Sequence, residues 1–302
     1  MSTALLTDSG LETWLVFHRG VDLPDFAAFP LLDDVDGRAL LSEYFRAHLR
    51  IAAQAGSALV LETPTWRANA DWGARLGYDA AALERVNRDA VALLRELGQE
   101  FDGVELIVSG NLGPRGDGYN PDELLTPADA AAYHRAQINS FAAASADRAT
   151  MLTATHAGEA IGVVQAAVAT GIPVVIAFTV ETDGRLPSGQ PLHEAIKEVD
   201  AATDGAALHF GVNCAHPDHF SDALGADPAA IGRIALLRAN ASRASHAELD
   251  EAEELDDGDP AELASLYARL RDQHPHIQVL GGCCGTDSRH VEAIARACVT
   301  AS

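Results

Sequence analysis

The chain has 302 residues, 48% of them hydrophobic, and its 44 acidic against 21 basic side chains give a formal net charge of −23. A charge this negative excludes a nucleic-acid partner, because phosphate binding requires a concentrated basic surface. The apolar runs end well before the roughly 18 residues that a membrane-spanning helix requires, so we expect no membrane segment.

The start of the chain carries neither the basic flank nor the small-residue cleavage site of a secretory signal. We therefore expect a cytoplasmic protein, in a compartment where thiols stay reduced. Small molecules are the expected partners. The sequence does not decide whether the chain forms a homo-oligomer.

Taken in chain order, apolar runs of strand length alternate with segments of helical period. The runs lie at 4–7, 58–61, 104–108, 149–153, 174–179, 207–212, 234–237 and 277–280. Strands that alternate with helices form a parallel sheet, and eight such units in 302 residues favour a closed barrel over an open doubly wound sheet. The predicted fold is therefore α/β, a single (β/α)8 TIM barrel, with one domain over residues 1–302.

The segments between these runs repeat their apolar residues about every 3.6 positions, as helices do. The first two patterns consist of Leu40, Tyr44, Ala47, His48 and Ile51, and of Leu83, Val86, Ala90, Leu94 and Leu97. A third helix is predicted to begin after the cap Thr126, with Pro127 at its first position and Asp129 in its first turn. The next helix runs through Ile161 and Val164.

In such barrels the active site lies at the carboxyl ends of the strands. The polar and thiol residues at these ends are Asp8, Glu62, Thr63, Asn111, Glu181, Cys214, Asn240, Cys283 and Cys284. Cys214 follows the sixth strand and the cysteine pair follows the eighth, so we expect their thiols to meet at one rim of the barrel.

Two glycine-containing segments carry three of the four cysteines: Gly-Val-Asn-Cys at 211–214 and Gly-Gly-Cys-Cys-Gly-Thr at 281–286. The glycines allow Cys283 and Cys284 to face one ion, and three thiolates bind Zn²⁺ while leaving a fourth position for substrate. Ordinary buried thiols are the alternative interpretation. A disulfide is disfavoured, because adjacent cysteines rarely pair without strain and the expected compartment is reducing.

These two segments occur together with four others: Asp-Ser-Gly-Leu-Glu-Thr at 8–13, Thr-Pro-Thr-Trp-Arg-Ala-Asn at 63–69, Gly-Asn-Leu-Gly-Pro at 110–114 and Gly-Arg-Leu-Pro-Ser-Gly at 184–189. The combination resembles, nearly end to end, the homocysteine S-methyltransferase family. That family includes betaine-homocysteine methyltransferase and the homocysteine module of cobalamin-dependent methionine synthase.

The resemblance implies a site. Its Zn²⁺ ligands would be Cys214, Cys283 and Cys284. The predicted substrate contacts are Asp8, Ser9, Gly10, Glu62, Thr63, Asn213 and Gly282, of which the first three lie near the amino-acid end of the thiol substrate. Glu62 and Glu181 are substrate clamps in one interpretation and partners of nearby arginines in another.

The implied reaction is transfer of a methyl group from a sulfonium or ammonium donor, such as S-methylmethionine, to a thiol, homocysteine giving methionine. An alkyl thiol has a pKa of about 8.5, so it is mostly protonated at neutral pH, and zinc coordination removes that proton. No catalytic residue is expected beyond the zinc-activated substrate thiolate. A zinc hydrolase is disfavoured, because hydrolytic sites use histidine and carboxylate ligands.

One position departs from the family pattern. Homocysteine-methylating members usually carry a glutamate at the end of strand 4 that holds the substrate ammonium, and Thr153 stands there; Pro64 also replaces a common asparagine. A hydrogen bond to a charged group is worth about 1.5 to 3 kcal/mol. Two alternatives therefore remain: a methyltransferase for a different thiol, and a non-catalytic zinc- or thiol-binding barrel.

The remaining histidines and the fourth cysteine are interpreted structurally. Pro217 breaks any helix that would align His216 with His219, so both are predicted to be loop residues, with His216 kept as a pocket-wall candidate. Cys298 shares the apolar face of the last helix and is predicted to pack in the core.

The segment 248–259 contains eight acids and no base, and we expect it to be solvated surface. Trp14 and Trp66 are candidates for the wall of a pocket that receives a methylated cation, since aromatic faces attract such groups.

Overall fold

Eight parallel strands close into a barrel in the computed structural model, which describes residues 4–119, 124–252 and 254–299. The strands are β1 Leu5–Thr7, β2 Leu59–Glu62, β3 Leu106–Leu112, β4 Arg148–Ala154, β5 Val174–Phe178, β6 His209–Asn213, β7 Ile234–Ala239 and β8 Val279–Gly282. Each strand pairs with the next in sequence, and β8 pairs with β1. The predicted (β/α)8 barrel is confirmed.

The helices follow the strands around the outside of the barrel. They are α1 Leu11–Thr13, α2 Val35–Ala55, α3 Ala70–Arg75, α4 Ala80–Gly98, α5 Pro127–Ala143, α6 Ala157–Thr170, α7 Leu192–Thr203, α8 Pro217–Phe220, α9 Pro228–Ile231, α10 His246–Asp250, α11 Pro260–Gln273 and α12 Ser288–Cys298. A π turn at Trp14–His18 and 3₁₀ turns at Pro24–Phe26, Phe29–Asp33 and Ala223–Gly225 complete the described elements. Within the described ranges, no helix is long and apolar enough to cross a bilayer.

The predicted helix signals have local causes in the structure. Oγ1 of Thr126 accepts a hydrogen bond from the backbone N–H of Asp129 at 3.2 Å, and Pro127 is the first residue of α5. In the same way, the carboxylate of Asp34 caps α2 through the N–H of Gly37 at 2.7 Å. These bonds satisfy backbone donors that have no partner within the helix.

Two strands extend further than the apolar runs predict. β3 continues to Leu112, so Asn111 lies inside the strand. The apolar run ends earlier than the strand because the carboxyl ends of barrel strands carry polar residues that face the site. β4 continues to Ala154, and its pairing with β5 shifts register between Met151 and Ala154. At this irregularity Thr153 adopts a left-handed backbone with φ of 63°.

The hydrophobic core has two parts, because successive strand residues point to opposite faces of the sheet. The larger part lies between the sheet and the helices and includes Leu59, Leu61 and Ile176. The smaller part fills the barrel interior with Val60, Leu152, Val175, Ala177, Leu236 and Val279. The interior apolar layer therefore lies below the strand ends that carry the polar residues.

Candidate active site

Three thiols meet at the ends of β6 and β8. The Sγ atom of Cys214 lies 3.0 Å from that of Cys283 and 3.5 Å from that of Cys284, and the cysteines are not joined by a disulfide. All three Sγ atoms lie within 4.8 Å of one another, and within the described part of the chain they are the only cluster of this kind that could hold a metal. The arrangement offers three soft ligands to one ion.

Local backbone geometry turns the thiols toward one point. Cys214 has a φ of 56°, a left-handed conformation that is uncommon for a residue with a side chain and clusters at functional sites. Gly285, directly after the cysteine pair, has a φ of 78°. At Gly10 a Cβ atom would collide with the carbonyl of Cys283, so the β1 loop approaches the pair closely only because this residue is glycine.

Hydrogen bonding within the cluster favours one thiolate and two thiols, because it raises the pKa of Cys214 and Cys284 well above their usual range and burial adds to the effect. Hydrogen bonding with the Cys214 and Cys284 thiols lowers the pKa of Cys283 well below its usual range, and the nearby Arg238 guanidinium lowers it further. The side-chain amide of Asn213 lies 3.8 Å from the Cys283 sulfur, while its oxygen accepts a hydrogen bond from the N–H of Thr153 at 2.8 Å. Asn213 thereby joins the ends of β4, β6 and β8 beside the thiols.

A narrow pocket adjoins the thiols and contains most of the predicted substrate contacts. Its lining includes Asp8, Ser9, Gly10, Glu62, Thr63 and Asn213, together with all three cysteines. Gly282, the seventh predicted contact, is the last residue of β8 and does not line the pocket; a Cβ there would meet the side chain of Thr286. Thr153 lies in the pocket wall, at the position where an acid was expected from the family pattern.

Two buried ion pairs form the floor of this pocket. Arg238 of β7 pairs with Asp8, and it also donates to Oγ1 of Thr7 at 2.7 Å and to the carbonyl of Ser9 at 3.0 Å. Arg148 of β4 lies 3.6 Å from a carboxylate oxygen of Glu62. Burial raises the pKa of both carboxyl groups, and the two guanidinium groups oppose that effect.

Glu12 is a pocket residue that the sequence did not single out. It belongs to the short helix α1, and its carboxylate forms no ion pair with any described residue. Burial raises its pKa to about 7, and the negative charges of Cys283 and Asp8 add to the shift. Glu12 belongs to the family-like segment 8–13, which was the one sequence signal for it. The sequence did not predict the short helix α1, so it could not show that the Glu12 side chain points into the pocket.

Tyr119 was also missed. Its hydroxyl lies 3.1 Å from the Cys214 sulfur and 3.9 Å from the Cys284 sulfur, and its ring packs on His246 with a centroid distance of 4.2 Å. His246 contacts the carbonyl oxygen of Cys214 through Nε2 at 2.7 Å. Tyr119 comes from the loop after β3, where no periodic pattern indicates its position.

Other candidates take structural roles. His216 caps α8 by accepting from the N–H of Asp218 at 3.2 Å, and it lines neither cavity at the thiols. Cys298 packs against the core from the last helix. Glu181 is a partner of His246, at 3.3 Å, and not of an arginine. Trp66 lines the pocket, whereas Trp14 does not.

A second cavity of about 660 Å³ opens beside the first and shares Trp66, Tyr119 and Cys284 with it. Part of its wall comes from the acidic segment 248–259, of which residue 253 lies outside the described residues. Most acids of the segment that the structure describes are exposed, as expected, whereas Leu249 and Leu255 are half-buried and line this cavity. Its leucines at 249 and 255 give the segment an apolar side that the acid count concealed.

Comparison with known proteins matches this chain to one family model and to solved structures of one fold. The family model described as homocysteine S-methyltransferase matches residues 5–298. Crystal structures of the homocysteine methyltransferase MmuM from Escherichia coli match with a TM-score of 0.79 in the oxidised form and 0.78 in the metallated form, each at 21% identity. The match to the oxidised form covers 97% of this chain and 95% of the MmuM chain, and the match to the metallated form covers 98% and 96%, respectively.

A putative sugar phosphate isomerase/epimerase from Anabaena variabilis matches less well, at 12% identity and a TM-score of 0.52, with 93% of this chain and 84% of its own covered. At these identities the structural matches show the barrel fold alone. A comparison with curated proteins gives no match. The family model spans nearly the whole chain and includes the three clustered cysteines, and the chain therefore belongs to the homocysteine S-methyltransferase family.

Proposed function

We propose that this protein is a zinc-dependent S-methyltransferase that moves a methyl group from a sulfonium or ammonium donor to homocysteine, giving methionine. The observation that carries the proposal is the cluster of three Sγ atoms within 4.8 Å at the ends of β6 and β8. Family membership supports homocysteine as the acceptor. S-methylmethionine is one donor of the required class.

The donor set fits Zn²⁺. Thiolates are soft ligands, and three of them on one zinc leave a fourth tetrahedral position for another sulfur. Zinc bound to Cys214, Cys283 and Cys284 would displace the proton of an incoming thiol to solvent and keep the sulfur as a nucleophilic thiolate at neutral pH.

The narrow pocket is proposed to hold the amino-acid part of homocysteine through Asp8, Ser9, Gly10, Glu62, Thr63, Asn213 and Gly282. Most of these residues line it directly, and Gly282 supports the turn beneath the cysteine pair. Within this group, Asp8 and Glu62 act mainly through the charge balance of the floor, since each faces a buried arginine.

Glu12 is proposed to replace the strand-4 acid. Asp8 is balanced by Arg238 and Glu62 by Arg148, which leaves Glu12 as the pocket acid without an ion-pair partner among the described residues. Glu12 is half-buried, and a carboxylate without an ion-pair partner in such a place is costly, so the substrate ammonium would stabilise it. The departure at Thr153 therefore relocates the acid from β4 to α1.

The two cavities are proposed to receive the two substrates. The narrow pocket orients the acceptor sulfur toward Cys284 and Tyr119, where the second cavity begins. Trp66, at the boundary, offers an aromatic face to the onium group. The acceptor sulfur then forms a bond to the methyl carbon while the bond between that carbon and the onium atom breaks. The electron pair of the broken bond stays on the onium sulfur or nitrogen, which leaves as a neutral thioether or amine.

The test is methionine formation by the purified protein, loaded with zinc and supplied with homocysteine and with S-methylmethionine, S-adenosylmethionine or betaine in turn. We expect turnover with at least one donor, and loss of it in Cys283→Ala. Cys298→Ala is the matched control, because that cysteine lies in the core away from the cluster. Zinc binding without methyl transfer to any thiol would instead favour the non-catalytic barrel.

Three broader features belong to the same proposal. The barrel forms one domain over residues 1–302, the protein works in the cytoplasm on small molecules, and nucleic acid is not a partner. The acidic charge of −23 supports the last point. Sedimentation equilibrium measures whether the protein forms a homo-oligomer.

A further inference from the structure

Arg67 is a buried cation that forms no ion pair with a described residue, and the acid whose charge acts on it most is Asp117 in the same cavity wall. It is 8% exposed, and its guanidinium carbon lies 4.2 Å from the ring centroid of Trp66 and 3.6 Å from that of Trp72. One of its terminal nitrogens donates to the carbonyl of Gly116 at 3.1 Å. Its Nε has no hydrogen-bond partner, and within the described part of the chain Arg67 forms no ion pair.

This unpaired group faces the larger cavity. Arg67 lines the cavity of about 660 Å³ together with Trp66, Tyr119 and Cys284, but it does not line the narrow pocket. The cavity thus has a metal-ligand thiol in one part of its wall and a guanidinium in another. Burial lowers the pKa of Arg67 to about 10, so it still carries its charge at neutral pH.

A carboxylate is the group that best satisfies such a site. A guanidinium presents several N–H donors in a plane, which match the two oxygens of a carboxylate. The stacked tryptophans hold that plane in place, so little side-chain freedom is lost when an anion binds. Trp66 is itself fixed, because its indole N–H points to the carbonyl of Leu152 at 3.4 Å and Gly113 packs on its ring.

We propose that Arg67 binds the carboxylate of the methyl donor, at the end of the molecule opposite its onium methyl group. The inference rests on the proposed function, since it assigns the larger cavity to the donor. The acidic residues Asp22, Glu254 and Asp256 in the same wall favour the cationic end of such a molecule. Arg67 thus determines specificity and does not take part in the chemical step.

The test compares donors with and without a carboxylate, and the second pair below differs by the carboxylate alone. Zinc-loaded protein with saturating homocysteine is assayed with dimethylsulfoniopropionate against trimethylsulfonium, and with betaine against tetramethylammonium. In Arg67→Gln we expect KM for the two carboxylate donors to rise roughly 10- to 100-fold, the loss expected for a hydrogen bond to a charged group. KM for trimethylsulfonium and for homocysteine stays unchanged, and Arg67→Lys recovers part of the loss.

Arg75→Gln is the matched control. Arg75 also lies over the Trp72 ring, at 4.6 Å from its centroid, but it is exposed, pairs with Asp25 and does not line the cavity. It should leave all donor constants unchanged. Equal losses in Arg67→Gln for donors with and without a carboxylate would mean that Arg67 only holds Trp72 and Gly116 in place, and would overturn the proposal. A raised KM for homocysteine would overturn it as well.

A binding measurement separates this inference from the proposed function. Calorimetry with dimethylsulfoniopropionate and trimethylsulfonium needs no turnover, and tryptophan fluorescence reports on the two rings that hold Arg67. If no donor is turned over, the proposed function fails, but binding that depends on both the carboxylate and Arg67 would still support the site. Equal binding of the two compounds to the unmodified protein would overturn it.

Discussion

The Sγ atoms of Cys214 and Cys283 lie 3.0 Å apart although 69 residues separate them in sequence. The contact exists because β6 and β8 end at the same rim of the barrel with β7 between them. It also requires the left-handed backbone of Cys214, which turns this side chain toward the axis. Metal binding, and with it binding of the acceptor thiolate, depends on this contact.

Loss of one thiol should remove the metal. We expect Cys283→Ala to lower zinc affinity at least about 100-fold, since even residues that only support a metal ligand are worth 10- to 100-fold. Competition with a chromophoric chelator measures the affinity. Cys298→Ala should retain it, and equal affinities in the two variants would contradict the assignment of Cys283.

Glu12→Gln should weaken homocysteine binding through the substrate ammonium. We expect KM for homocysteine to rise about 10- to 100-fold, the equivalent of one charged hydrogen bond. The comparison thiol is 4-mercaptobutanoic acid, which is homocysteine without its amino group. Its KM should not rise in the variant, and a parallel loss for both thiols would show that Glu12 does not contact the ammonium.

Glu12 should also make the stability of the metal-free protein depend on pH. Its pKa is raised to about 7 from an ordinary value of about 4.5, so folding favours the protonated form. That contribution is complete below about pH 4.5 and is lost as the pH rises through 7, because the unfolded chain binds fewer protons there. Glu12→Gln, which cannot ionise, should therefore unfold like the parent at pH 4.5 and be more stable at pH 8.

Urea unfolding with zinc removed by a chelator measures this difference at the two pH values. Both proteins are compared without metal, so the positive charge of a bound ion does not change the pKa of Glu12. A stability difference that is the same at pH 4.5 and pH 8 would contradict the raised pKa of Glu12.

Arg238 should be necessary for folding. Arg238→Met leaves Asp8 buried without its cation, and breaking a buried pair in this way costs about 3 to 5 kcal/mol. The double variant with Asp8→Asn should recover part of the loss. The exposed Arg243, which pairs with Asp218 and Glu262, is the matched control, and its replacement by Gln should cost less than about 1 kcal/mol. Denaturant unfolding measures all three, and equal losses at 238 and 243 would contradict the account.

Sequence patterns predicted all eight strands, because each central strand of a parallel sheet is an apolar run between turns. They also predicted that the thiols of 214, 283 and 284 meet, since strand order alone places the ends of β6 and β8 on one rim. The cap at Thr126 was predictable because it acts over three residues.

The residues that were missed depend on tertiary structure. Arg238 directly follows the apolar run 234–237, which predicts a strand but not the burial of a guanidinium against Asp8. Tyr119 and Arg67 belong to loops, and their positions are set by contacts with distant residues such as His246 and Gly116. No local pattern encodes such contacts.

X-ray absorption at the zinc edge, recorded before and after addition of homocysteine, tests the central claim most directly. We expect one zinc per chain with three sulfur ligands at about 2.3 Å, and a fourth sulfur at the same distance once homocysteine is present. A site with nitrogen or oxygen as its main ligands, or one that gains no sulfur from homocysteine, would contradict the proposal that the three cysteines hold a metal that binds the acceptor thiolate.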